Sequence, residues 1–146
     1  MEKSLSSKQL EFLEKMFLPV HYSPTLDPDA LDLGLILIGE EFAELKEAIE
    51  TSPNFSDQVA LTKIAHEAVD LVYVVLQLVN QLGLPFDEVF DEVHKANLRK
   101  VAQSGKATKN EDGKVMKPKN WKPADVASII EKYIEFGEKI KEMEEK

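Results

Sequence analysis

Between Asp57 and Gly83 the chain carries the stretch that most restricts its fold. From Ala68 to Val79 almost every residue is apolar around the whole helical projection, which calls for a helix covered on several sides. Two acids, Glu67 and Asp70, interrupt it. At about 100° per residue, Ala60, Ile64, Leu71, Val74 and Leu78 lie within about 60° of Glu67, so the acids share a face with core positions. A second cluster, Glu40-Glu41-x-x-Glu44, occupies an arc of roughly 100° with Glu47 at its edge, continuing the apolar face of Leu33, Ile36 and Leu37. Burying unpaired carboxylates costs several kcal/mol each or forces protonation, and no Lys or Arg stripe matches these acids at helical spacing. Hard oxygen ligands so placed suit Mg²⁺, with Mn²⁺ able to substitute. The competing reading is a pair of solvated acidic faces, against which the acids inside the otherwise apolar helix weigh.

With 146 residues the chain is expected to form a single all-α domain, 1–146, with one helical core. Its formal charge of −9 disfavours nonspecific binding to nucleic acid or membranes, which relies on basic surface. The chain has no cysteine, which excludes disulfides, thiolate metal sites and thiol nucleophiles. The first residues lack an apolar signal core, and the apolar run 31–38 is too short to span a bilayer. The expected location is the cytoplasm.

The periodicity predicts a first helix over residues 6–17, with Leu10, Leu13 and Phe17 on one face. Pro19, Pro24 and Pro28 mark an irregular connector. Asp27 followed by Pro28 reads as an N-cap with proline in the first turn, opening a helix that runs to Glu50. Gly34 and Gly39 weaken that helix; they either permit close backbone approach or are simply tolerated. After the break at Thr51-Ser52-Pro53-Asn54, Ser56 or Asp57 caps the long central helix, which stops at Gly83. Pro85 and Asp87-Glu88 open a fourth helix predicted to end near Gly105. Residues 106–122 form a polar, Lys-rich, irregular segment in which Asp112-Gly113 signals a hairpin turn. Pro123 opens a last amphipathic helix carrying Val126, Ile129, Ile130, Tyr133 and Ile140, with a tail expected to fray after Gly137. The result is an all-α bundle of four to five helices with a short irregular or hairpin segment before the last. The two acidic helices can pair antiparallel and bring their clusters together.

Carboxylates around divalent metal acidify water and screen phosphate charge, so the natural substrate is a phosphate chain. A carboxylate not engaged in ligation can take a proton from the attacking water. Phosphate-binding charge is offered by Lys95-Ala96-Asn97-Leu98-Arg99-Lys100 and by Lys114 and Lys117.

The runs Glu40-Glu41-Phe42-Ala43-Glu44, His66-Glu67-Ala68-Val69-Asp70-Leu71-Val72-Tyr73-Val74 and Val93-His94-Lys95-Ala96-Asn97-Leu98-Arg99-Lys100 resemble successive signatures of MazG-like all-α nucleoside triphosphate pyrophosphohydrolases. That group is related to phosphoribosyl-ATP pyrophosphatase and dimeric dUTPases. The run from Asp112 to Val126, with Trp121-Lys122-Pro123-Ala124-Asp125-Val126, is similar to the tail of a single-domain branch that includes enzymes acting on dUTP. The resemblance covers roughly residues 33–130, and the N-terminal helix and connector match poorly.

What the resemblance implies is Mg²⁺-dependent hydrolysis between the α and β phosphates of a nucleoside triphosphate, controlling nucleotide pools. Glu40, Glu44, Glu67 and Asp70 would ligate metal, and Glu41 would orient or deprotonate the water. Asn97, Lys100, Lys114 and Lys117 would meet sugar or phosphates. Trp121 would close over the nucleotide or serve packing; His66 and His94 would be supporting or structural. Family members assemble as homodimers or dimers of dimers, which agrees with a central helix too apolar for a small monomer. Uracil is the base the tail points to, with dGTP, dCTP or a broad set as alternatives. Outside this class stands a non-catalytic helical module whose acidic patch binds a basic partner. A di-iron bundle is disfavoured because it needs Glu-x-x-His pairs, and Glu67 is followed by Asp70.

Overall fold

The computed structural model of the protein describes residues 1–52, 57–101 and 107–146. Five helices follow in order, α1 (Leu5–Lys15), α2 (Pro28–Glu50), α3 (Gln58–Gln81), α4 (Phe86–Leu98) and α5 (Val126–Glu144). The chain is all-α; between the described residues β pairing is limited to two isolated bridges. No described helix is long and apolar enough to cross a membrane. Contacts divide the chain into two compact units, Met1–Leu84 and Pro85–Lys146.

In the first unit, α1 and α2 both pack on α3. Ser4 caps α1 by accepting the Ser7 N–H at 3.1 Å, which starts the helix one residue before the predicted Ser6. It ends at Lys15, short of the predicted Phe17, because Phe17 takes a left-handed φ of 54° that breaks the helical path. Leu13 is fully buried, and Phe12 meets Tyr73 of α3 edge-on at 5.8 Å. The same seam holds a polar cluster: Asn80 Nδ2 donates to Ser6 O and Gln9 Oε1, and Ser6 Oγ donates to Asn80 Oδ1.

Helix α2 begins and ends where the sequence places it. The Asp27 carboxylate accepts the Asp29 and Ala30 N–H groups and lies 2.9 Å from His21 Nε2. The His21 bond, with the Ala30 N–H next, holds this carboxyl below the usual range. Gly34 admits α3: a Cβ built there would stand 2.8 Å from Leu78 Cδ1. Close approach, not mere tolerance, is therefore the role of Gly34, whereas Gly39 faces open space. Buried Ala48 and Ala60 are small enough to keep the helix surfaces near.

Asp57 caps α3 by accepting the Val59 N–H at 2.9 Å; the other candidate, Ser56, lies outside the described residues. At the far end Gly83 turns the chain with φ 66°, and a Cβ there would come within 2.3 Å of Ser23 O. The connector is tied at this point by His21 N–H to Gln81 O and Thr25 N–H to Leu82 O. Within one chain α3 is covered on part of its surface only. Leu76 is buried, yet Val69 is 61% exposed and Val72 48%, because α1 and α2 cover only part of the helix.

In the second unit α4 packs on α5, with Glu88 accepting from Tyr133 and pairing with Lys132 at 3.1 Å. Helix α4 stops at Leu98, before the predicted end near Gly105, a residue outside the described set. Arg99 instead binds Lys122 O and Pro123 O and faces Glu92. Asn110 Oδ1 accepts the Asp112 and Lys114 N–H groups, Gly113 has φ 80°, and Lys109 bridges Val115 antiparallel, so the predicted turn is present in a minimal hairpin. Helix α5 begins at Val126, three residues after Pro123, since Asp125 is the cap and accepts the Ser128 N–H and O–H. It remains helical to Glu144, so the expected fraying after Gly137 is corrected; Gly137 is buried and the helix runs through it.

Candidate active site

Helices α2 and α3 run antiparallel, Gly34 meeting Leu78 while Glu41 meets the Glu67–Asp70 turn. This register lets one oxygen each from Glu41, Glu67 and Asp70 lie within 4.8 Å of one another. All three residues are half-buried, and Glu41 Oε2 is buried without any hydrogen-bond partner. Burial raises the Glu41 carboxyl above its ordinary range, and the charges of Glu44, Asp70, Glu67 and Glu40 push it further. Oxygens bound to Mg²⁺ at about 2.1 Å stand about 3–4.2 Å apart, close to the spacing of the trio, so a cation held at Glu67 and Asp70 would have Glu41 beside it. The donor set is all carboxylate, which suits Mg²⁺ or Mn²⁺ over softer metals.

Glu40 and Glu44 are exposed on α2 beside Glu41 and lie outside the trio, though Glu41 feels both charges. His66 places Nε2 at 3.1 Å from Asp70 Oδ2, a supporting contact for a member of the cluster. His94 is exposed on α4. In the second unit the ammonium groups of Lys117 and Lys100 lie 4.7 and 5.5 Å from the centre of the Trp121 ring. Trp121 is half-buried and donates Nε1–H to Ala96 O at 2.7 Å, so it has the packing role and also carries a cationic surround. Asn97 and Lys114 are exposed and stand apart from these ring contacts.

Lys63 lies outside the motifs that carry the family resemblance. It stands four residues before Glu67, as His66 stands four before Asp70, so the i, i+4 spacing within α3 was the available signal. Both line an open cleft of about 640 Å³ with Gln58, Val59 and Thr62.

Fold and site together define an all-α protein with a cluster of carboxylates between two antiparallel helices. Residues 13–97 match the family described as phosphoribosyl-ATP pyrophosphohydrolase, a span that takes in more than half of the chain and both acidic clusters. The chain belongs to that family, and its activity is pyrophosphohydrolysis of a nucleotide-type substrate. Divalent-metal dependence is typical of the family, and the trio supplies acids for it. The match ends at Asn97, so Lys100, Lys114, Lys117 and Trp121 lie beyond it. No curated protein matches the chain.

Proposed function

We propose that the chain hydrolyses a (deoxy)nucleoside triphosphate between the α and β phosphates, releasing monophosphate and pyrophosphate, with dUTP as the favoured substrate. The observation that carries this is the convergence of Glu41, Glu67 and Asp70, with one oxygen of each within 4.8 Å of the others and Glu41 Oε2 buried without a hydrogen-bond partner. Glu40, Glu44, Glu67 and Asp70 are the ligand set we propose for Mg²⁺, with Mn²⁺ as substitute. Such an ion, when bound, screens phosphate charge and acidifies water. Glu41 then acts as the proton acceptor: an oxygen with no hydrogen-bond donor is free to take a proton from water. His66 holds Asp70 in orientation through its ring nitrogen. Asn97, Lys100, Lys114 and Lys117 meet sugar and phosphates, and Trp121, already flanked by two of these lysines, provides a flat apolar surface beside them.

A panel of nucleoside triphosphates with Mg²⁺, with monophosphate, pyrophosphate and orthophosphate quantified separately, tests the reading. Equimolar monophosphate and pyrophosphate, fastest from dUTP, is the expected result. Preference for dGTP, dCTP or all bases would correct the substrate alone. Orthophosphate as the product, or full turnover in EDTA, would overturn the mechanism.

A further inference from the structure

The first unit contains five lysines and no arginine, and their pairing is uneven. Lys3 and Lys15 pair with Glu11, Lys8 with Glu2 and Lys46 with Glu50. Lys63 makes no ion pair among the described residues, although the chain carries nine excess negative charges. Its position is also particular. Lys63, His66, Glu67 and Asp70 are linked by i, i+3 and i, i+4 spacings on α3, so a basic tier stands one turn, about 5.4 Å, upstream of the acidic one. The basic tier lines the cleft of about 640 Å³. Within that cleft Thr62 Oγ1 donates its proton to Gln58 O and cannot serve as a donor to a ligand, so positive charge comes from Lys63.

We propose that this cleft is the subsite for the β and γ phosphates, and hence for the leaving pyrophosphate, with Lys63 as its binding residue. The proposal rests on the pyrophosphohydrolase reading and extends it to a residue of α3. A triphosphate whose metal-bearing phosphates sit at Glu67 and Asp70 has its remaining charge within a helical turn of that centre. An unpaired ammonium one turn away on the same helix is the cation the first unit offers it, whereas that unit's acids alone would repel it.

Calorimetry with inorganic pyrophosphate and Mg²⁺ tests this on the intact chain, comparing the parent with Lys63→Gln and Lys63→Arg. Lys63→Gln is expected to weaken pyrophosphate binding about tenfold, with Lys63→Arg recovering much of it. Binding of the nucleoside monophosphate, which lacks β and γ phosphates, stays within about twofold. Mn²⁺ alone binds Lys63→Gln at least as tightly as the parent, because a positive charge near Glu67 has been removed. Melting temperature should hold, since Lys63 is exposed. Unchanged pyrophosphate affinity, or equal losses for pyrophosphate and monophosphate, would overturn the subsite. So would a loss of Mn²⁺ binding that accounts for the whole effect. A parent chain that binds pyrophosphate through Lys63 yet turns over no nucleotide would sink the hydrolase reading and leave the anion site standing.

Discussion

Glu41 carries opposite demands in the metal-free and metal-bound protein. Its buried oxygen lacks a donor and its carboxyl is raised by burial and by four neighbouring acids. A carboxyl with a folded-state pKa above its unfolded value binds its proton more tightly in the folded state. The metal-free protein is therefore destabilised as pH rises through the raised value, and recovers as pH falls back toward the ordinary carboxyl range. Glu41→Gln keeps the shape and removes the charge. In EDTA at neutral pH it should raise the melting temperature, by roughly 3 °C for each kcal/mol of relieved repulsion, and flatten this pH dependence. With Mg²⁺, turnover should fall by about 10²–10⁴-fold while nucleotide and metal binding largely persist. Glu44→Gln and Asp70→Asn should instead lose metal affinity and turnover together. If calorimetry shows equal loss of metal binding in all three, Glu41 is an ordinary ligand and the proton acceptor lies elsewhere.

The pairing of α2 with α3 is what holds the acids in register, and Gly34 is its tightest point. A Cβ at 2.8 Å from Leu78 Cδ1 cannot be accommodated without movement, though the neighbour is the far end of a flexible side chain. Gly34→Ala adds helix propensity of about 1 kcal/mol and forces Leu78 out of its place at a cost of about 1–3 kcal/mol. We expect net destabilisation of about 1 kcal/mol, read by urea melts, with weaker Mn²⁺ binding because the acids lie about two turns along the same seam. A more stable variant with unchanged Mn²⁺ affinity would show that the seam relaxes locally. Legibility follows the range of the forces involved. Asp27-Pro28 announces the start of α2 because capping is settled within three residues, and the acids converge because antiparallel pairing leaves few registers. The end of α4 was missed because Arg99 is held by carbonyls more than twenty residues away. Nothing in the local spacing of Asn80, Gln9 and Ser6 shows that their partners lie across a helix seam. Lys63 is not legible in the sequence, because a lysine acquires meaning only once its neighbours are found paired.

At the scale of the whole molecule, the apolar residues left outside are as informative as those inside. Helix α3 leaves Val69 61% and Val72 48% exposed, while α2 leaves Leu35 72% and Phe42 58% exposed. A lone aliphatic at the surface is ordinary, but large apolar groups on both helices that build the acidic centre are a liability for a monomer. Covering them by a second copy removes that surface from water at about 25 cal/mol per Å² of apolar area. We expect light scattering to give at least twice the chain's 16.5 kDa at micromolar concentration. Val72→Asp, which would place a charge in the covered face, should shift the population toward monomer and lower the melting temperature in a concentration-dependent way. Retained secondary structure in the variant would assign the effect to assembly and not to misfolding. A parent chain that is monomeric at tens of micromolar, with a melting temperature independent of concentration, would show that these helices leave their apolar faces open to water in the working protein.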